Sequence, residues 1–179
     1  MPPSEVHFVR VGNGKLALNH RPRGVDFRIL RELGCTHVVT LMKESEGARS
    51  IGKMTENAGL TWVWIPVPNG DYPQGEVHQH LIEAIPTLSH LLDENAAILI
   101  HCSAGIHRTG TVAYGLLRWR GVTREKSLKL IEQMRPVTLA EMGNKRQRWG
   151  DEIARDLPQP KPSWFQSLQK IILTYFGRH

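Results

Sequence analysis

In the stretch ILIHCSAGIHRTGTVAYGLL, residues 98–117, a cysteine follows directly on an apolar run, and a short loop with a glycine separates it from an arginine. These types at this spacing suit the chemistry of a tetrahedral oxyanion. Five residues lie between Cys102 and Arg108, and their backbone N–H groups suffice to curl around a single anion as a nest. Gly105 lets such a loop turn tightly. A helix opening near Arg108 adds unpaired N–H groups and the positive end of its dipole. The Arg108 guanidinium offers a planar fork that matches two oxygens of one anion. Cys102, at the foot of this positive field, has its thiolate favoured. One loop thus supplies a nucleophile and an oxyanion cradle.

Two plainer readings compete. Cysteine is often an inert buried residue, but strand context, glycine, HRTG and a following helix together are more than chance supplies. His101, Cys102 and His107 could also ligate a metal. Zinc sites pair ligands a few residues apart with a second pair elsewhere, and no second pair is evident, so neither metal nor cofactor is expected.

The elements that must position this loop follow from periodicity. HFVRVGNGKLALN (7–19) reads as two short strands joined at Asn13-Gly14. Val25, Phe27, Ile29, Leu30 and Leu33 before Gly34 give a short helix. THVVTLM (36–42) is a β-branched strand, Ala48, Ile51, Met54 and Ala58 recur at helical spacing, and TWVWIPV (61–67) is a further strand. PNGDYPQG (68–75) is rich in turn residues. Residues 76–93 form a helix in which Pro86 predicts a kink or a late start. AAILIH (96–101) has the character of a fully buried strand, and helices follow over 109–120, 123–134 and 139–156. The alternation predicts an α/β domain with a central, mostly parallel sheet and helices on both faces. There is no internal repeat.

On these residues the chain resembles a known family. HCSAGIHRTG is similar to the HCxxGxxR[ST] phosphate-binding loop of the cysteine-dependent protein tyrosine phosphatase superfamily, and its place after about a hundred residues of α/β sequence resembles the compact dual-specificity branch. The resemblance covers roughly residues 7–156 and implies a dual-specificity phosphatase-like fold. It implies that Cys102 attacks phosphorus, and that Arg108 with the backbone of Ser103, Ala104, Gly105, Ile106, His107 and Arg108 holds the phosphate. Thr109 matches the hydroxyl that assists the thiolate as leaving group, and His101 would orient the loop from behind.

The family also uses an acid from a loop about thirty residues upstream. Asp71 is the one aspartate in IPVPNGDYPQGE and is the expected acid. Many relatives read Pro-x-x-Asp here, and that frame from Pro66 lands on Asn69; Glu76 is a further candidate. Cys35 is read as structural, because it begins its strand whereas a redox partner for Cys102 would stand at the far end.

The expected substrates are phosphotyrosine and phosphoserine/threonine in proteins, since no tyrosine-recognition segment deepens the site. A non-protein phosphoanion (inositol phosphate or pyrophosphate, phosphoinositide, RNA 5′-phosphate) or a weakly active binding module is the alternative. HRTG also resembles the branch acting on inositol pyrophosphates, although the loop interior lacks the lysines of many lipid-directed relatives. The net charge of +6 and pI near 9.6 favour anionic partners. Lys145, Arg146 and Arg148 are candidates for added charge near the substrate.

The chain has 179 residues, of which 40% are hydrophobic, enough for one cored domain over 1–156. LPQPKPS (157–163) reads as a proline-rich linker. Trp164, Phe165, Leu168, Ile171, Ile172, Tyr175 and Phe176 give residues 164–179 the stripe of an amphipathic helix, expected to pack on its own domain, or else on a partner, a second copy or a membrane surface helped by Lys170 and Arg178. Two cysteines do not make a disulfide framework. With no signal peptide and no apolar run long enough to span a bilayer, the expected location is cytoplasmic.

Overall fold

The computed structural model describes residues 6–69 and 72–157. Asp71, most of the expected linker and the expected C-terminal helix lie outside them. Among the described residues five strands form one sheet in the order β1-β2-β5-β3-β4. They are β1 (Val9–Val11), β2 (Gly14–Asn19), β3 (His37–Thr40), β4 (Thr61–Trp64) and β5 (Ala97–His101). β1 runs antiparallel to β2, and the other pairings are parallel. The α/β expectation therefore holds.

The hairpin turn sits one residue earlier than the Asn13-Gly14 pair suggests. Val11 pairs with Gly14, so Gly12 and Asn13 make the turn, with Gly12 at φ +64°. Gly14 is held in the strand by packing, since a Cβ there would stand 2.5 Å from the Ala96 carbonyl oxygen.

The helices are α1 (Gly24–Glu32), α2 (Ala48–Asn57), α3 (Gly75–Asp93), α4 (His107–Trp119), α5 (Arg124–Met134), α6 (Pro136–Glu141) and α7 (Asn144–Asp156). The strand period of two decides which face each helix covers. Ala17, Val38 and Leu99 point to one side and pack with Phe27, Leu30 and Ile51 of α1 and α2. Leu16, Leu18, Val39, Ile98 and Ile100 point to the other, into a larger core with Leu81, Ile85, Val112, Tyr114, Leu116 and Trp149 of α3, α4 and α7.

Of the two outcomes expected for Pro86 the late start does not occur, since α3 begins at Gly75 with the proline inside it. One helix expectation changes. The helix expected over 139–156 is two, because Gly143 at φ +76° breaks the chain between α6 and α7. Cys35 is buried in the smaller core, its Sγ donates to the His37 carbonyl at 3.3 Å, and burial pushes its thiol up to about 11. It is an inert packing residue, as expected from its place at the strand's start. No helix among the described residues is long and apolar enough to cross a membrane.

Candidate active site

β5 is the middle strand, with β2 and β3 parallel on either side. Asn19, Thr40 and His101 are in register, so three chains leave the sheet together at its carboxyl edge. In open α/β sheets that edge is where crevices form. The Cys102–Arg108 loop begins there and ends in the first turn of α4.

The loop is fixed from outside by its carbonyls. The Ser103 carbonyl accepts from Arg21 N at 3.2 Å. Arg135 Nη1 donates to the carbonyls of Ala104 (3.0 Å) and Gly105 (2.6 Å), and the Thr138 hydroxyl donates to Gly105 O at 2.7 Å. Arg135 and Thr138 are buried. Turning the carbonyls outward turns the N–H groups inward, and Gly105 N lies 3.2 Å from Cys102 Sγ. Gly105 has φ +68°, and a Cβ on it would meet the Asn19 carbonyl oxygen at 2.2 Å. Only glycine fits there.

Cys102 is 3% exposed. Burial is the largest influence on its thiol and opposes ionisation. Hydrogen bonding from the Thr109 hydroxyl and from the N–H groups of Thr109, Gly105 and Ile106 outweighs it, and the thiol is held below its usual range. The Thr109 hydroxyl is buried and closes no hydrogen bond among the described residues, which leaves it free to act on the Cys102 sulfur, whose thiol it pulls down. At the same time the Cys102 charge pulls on Arg135 and Arg108 from two sides.

Arg108, 6% exposed, is oriented by a residue that the motif does not contain. Its Nη1 and Nη2 donate to Glu46 Oε2 (2.7 Å) and Oε1 (2.8 Å), a bidentate pair. Nη1 also reaches the carbonyls of Val67 (3.1 Å) and Leu41 (3.3 Å), and Nη2 the Ser103 hydroxyl (3.1 Å). The Arg108 hydrogen bonds hold the Glu46 carboxyl down at about 2. Glu46 stands in a 3-10 turn, Glu44–Glu46, that follows β3 at the same sheet edge. Its place just beyond a strand was the one signal in the sequence, and no motif marked it. Arg135 and Thr138 carried no signal, since α5 and α6 bring them from thirty residues further on.

Behind the loop, His101 is fully buried, and burial pushes its imidazole down to about 4, so it is neutral. Nδ1 lies 3.4 Å from the Cys102 carbonyl and Nε2 2.9 Å from Thr40 Oγ1. A carbonyl only accepts, so Nδ1 carries the proton and the Thr40 hydroxyl donates to Nε2. Thr40 in turn accepts from Trp62 Nε1 at 2.9 Å. The chain from Trp62 to the loop's first peptide is complete, as the expected orienting role for His101 requires.

Of the other predicted residues, Ser103 and Ala104 are exposed at the rim, Ile106 and His107 half-buried, and Thr109 buried beneath. Asn69 and Glu76 are exposed. Asp71 lies outside the described residues, but its loop leaves from Val67, whose carbonyl touches Arg108. Of the three residues considered for added charge near the substrate, Arg146 is buried and its Nη1 donates to the Met142 carbonyl at 2.7 Å, while Lys145 and Arg148 are exposed. No cluster of three or more potential metal-ligating side chains occurs among the described residues.

A family model described as "Polymorphic toxin system, DSP-PTPase phosphatase" matches residues 14–122, from β2 to the turn after α4. Rat dual specificity protein phosphatase 5 is 28% identical over 106 residues, which is 58% of this chain and 27% of that protein. This chain therefore spans about a quarter of that relative's length. Kinase associated phosphatase, solved with its catalytic site cysteine changed to serine, superposes with a TM-score of 0.66 at 17% identity, covering 85% of this chain and 96% of that one. The core catalytic domain of the PP-IP phosphatase SIW14 from S. cerevisiae gives 0.57 at 18% identity, covering 95% of each. The two structural likenesses are of fold. The family model takes in β2, β3, β4, β5 and the whole Cys102–Arg108 loop, more than half of the chain: this protein belongs to the DSP-PTPase phosphatase family described for polymorphic toxin systems.

Proposed function

We propose that this protein hydrolyses phosphomonoesters through a phosphocysteine intermediate, with phosphotyrosine and phosphoserine/threonine in proteins as its substrates. The observation that carries the reading is a cysteine whose ionised form is favoured at the base of a loop with inward N–H groups and a buried arginine on its rim. In this reading the Cys102 thiolate attacks phosphorus as the ester P–O bond breaks. Asp71 protonates the departing oxygen. Arg108 and the N–H groups of 103–108 carry the charge that grows on the equatorial oxygens. Water, deprotonated by Asp71, then cleaves the S–P bond, and the Thr109 hydroxyl stabilises the thiolate that leaves. Residues 1–156 form the catalytic domain.

A second reading is a phosphatase acting on a non-protein phosphoanion. It is favoured by HRTG at 107–110 and by the fold likeness to a PP-IP phosphatase.

The test is hydrolysis of 4-nitrophenyl phosphate across pH. Cys102→Ser abolishes turnover but still binds oxyanions. Asp71→Asn falls at least ~100-fold and loses the basic limb of the profile. An unchanged Asp71→Asn profile places the acid elsewhere, and an active Cys102→Ser excludes the thiolate route.

A further inference from the structure

Beside the loop lies a cleft of about 630 Å³ lined by His20, Arg21, Pro22, Arg23, Met54 and Ser103. Ser103 belongs to both the cleft and the phosphate cradle, so the two are continuous. The basic wall is the connection between β2 and α1. It is fastened to the cradle, because Arg21 N donates to the Ser103 carbonyl and Arg21 Nη1 to the Glu46 carbonyl at 3.3 Å.

Exposed arginines divide between those paired with a carboxylate and those, Arg10, Arg21, Arg23, Arg31 and Arg148, that have none within ion-pair distance among the described residues; of the latter only Arg21 and Arg23 line the cleft beside the cradle. Arg28, Arg49, Arg118, Arg120, Arg124 and Arg155 are paired with Glu32, Glu44, Asp151, Asp93, Asp151 and Asp156. Arg21 and Arg23 are exposed, and neither has a carboxylate within ion-pair distance among the described residues. No acidic side chain lines the cleft. Two guanidinium side chains, Arg21 with one nitrogen on the Glu46 carbonyl and Arg23 without a carboxylate partner, therefore line an open volume that also borders Ser103, and guanidinium forks match carboxylates as well as phosphates.

Building on the phosphatase reading above, we infer that this cleft is a specificity site for an acidic side chain of a phosphorylated peptide, held by Arg21 and Arg23 while the phosphate occupies the cradle. The distribution of charge supports a peptide. Residues 103–107 contain no lysine or arginine, so the cradle is built for one phosphate and the extra charge stands to one side. In an extended peptide a residue two positions from the phosphorylated one lies about 7 Å along the chain, and its side chain leaves on the same face. The half-buried Met54 gives the peptide's aliphatic stems an apolar wall.

The test compares kcat/KM for two phosphotyrosyl peptides of equal length, one flanked by glutamates and one by lysines, in wild type and in Arg23→Ala and Arg23→Glu. Among the described residues Arg23 makes no hydrogen bond or ion pair with Cys102, Arg108 or Glu46, so 4-nitrophenyl phosphate reports basal activity and stays within about two-fold. Wild type favours the glutamate peptide by at least ~10-fold, Arg23→Ala reduces that preference, and Arg23→Glu abolishes or reverses it. The inference is overturned if wild type shows no preference, if Arg23→Glu retains it, or if inositol hexakisphosphate is cleaved faster than either peptide. Failure of wild type to cleave 4-nitrophenyl phosphate would count against the phosphatase reading instead. Calorimetric titration of both peptides into Cys102→Ser would then still read the cleft, with equal affinities overturning it.

Discussion

At the scale of single residues, the site combines groups the sequence makes contiguous with groups it scatters. Cys102, Gly105, Arg108 and Thr109 are legible in the sequence because one loop carries them all. Glu46 and Arg135 are not, since only the folded chain brings the first onto the Arg108 guanidinium and the second onto the back of the loop. Glu46→Gln keeps the shape but replaces a charge-assisted bidentate pair with a neutral contact, worth roughly 1–2 kcal/mol less. Turnover of 4-nitrophenyl phosphate by this variant is expected to fall about 10-fold, and full activity would show that Arg108 needs no such partner. Arg135 acts through the loop rather than on the substrate. Removing its charge in Arg135→Met is expected to shift the pH midpoint for iodoacetamide alkylation of Cys102 upward, with Arg135→Lys recovering part of the shift. A midpoint that stays in place in a folded variant would reduce Arg135 to a structural tie.

At the scale of elements, parallel register does the positioning. β5 is clamped between β2 and β3, so its end cannot shift without moving both neighbours. α4, which carries Arg108 and Thr109, is held against α7 by close approach. A Cβ on Gly115 would lie 2.5 Å from Trp149 Cζ3 and 3.0 Å from Ile153 Cδ1, and one on Gly150 would lie 2.5 Å from Tyr114 Cδ1. Asp151 of α7 binds α4 by polar contacts as well, accepting from the Tyr114 hydroxyl (2.8 Å) and Arg118 Nε (2.7 Å), and reaches α5 through Arg124 Nη1 (2.6 Å). Gly115→Ala is expected to cost about 1–3 kcal/mol and lower the Tm by about 3–10 °C. Gly24→Ala, whose Cβ meets nothing closer than Met54 Sδ at 4.0 Å, leaves the Tm level or raises it. Equal Tm values for the two variants would contradict the packing argument. The strands were legible from β-branched runs and the helices from apolar spacing. The split between α6 and α7 was not, because one glycine inside an otherwise periodic stretch gives no sign of its φ.

At the scale of the whole molecule, the two faces of the sheet keep separate cores, and the site lies where they meet at the carboxyl edge. The layered fold follows from the order of elements and was legible; the anchoring of the loop by the Trp62–Thr40–His101 relay depends on the strand order and was not. This relay ties stability to pH. His101 titrates near 6.5 when exposed and at about 4 in the fold, where burial disfavours its charge. As pH falls through 6.5 the unfolded chain takes up a proton that the folded one refuses. The contribution of His101 is thus intact above pH 6.5 and lost progressively down to pH 4. That loss amounts to about 3 kcal/mol. Urea unfolding at several pH values should show a steeper loss in wild type than in His101→Asn over this window, and parallel curves would show that His101 titrates freely in the folded state.

The most direct measurement is acid quench of the enzyme during turnover of 4-nitrophenyl phosphate, followed by mass spectrometry of the peptide that contains Cys102. The account predicts a phosphate adduct on Cys102, with more of it in Thr109→Ala because the second step is slowed, and none in Cys102→Ser. Turnover without any adduct on Cys102, together with activity retained in Cys102→Ser, would contradict it.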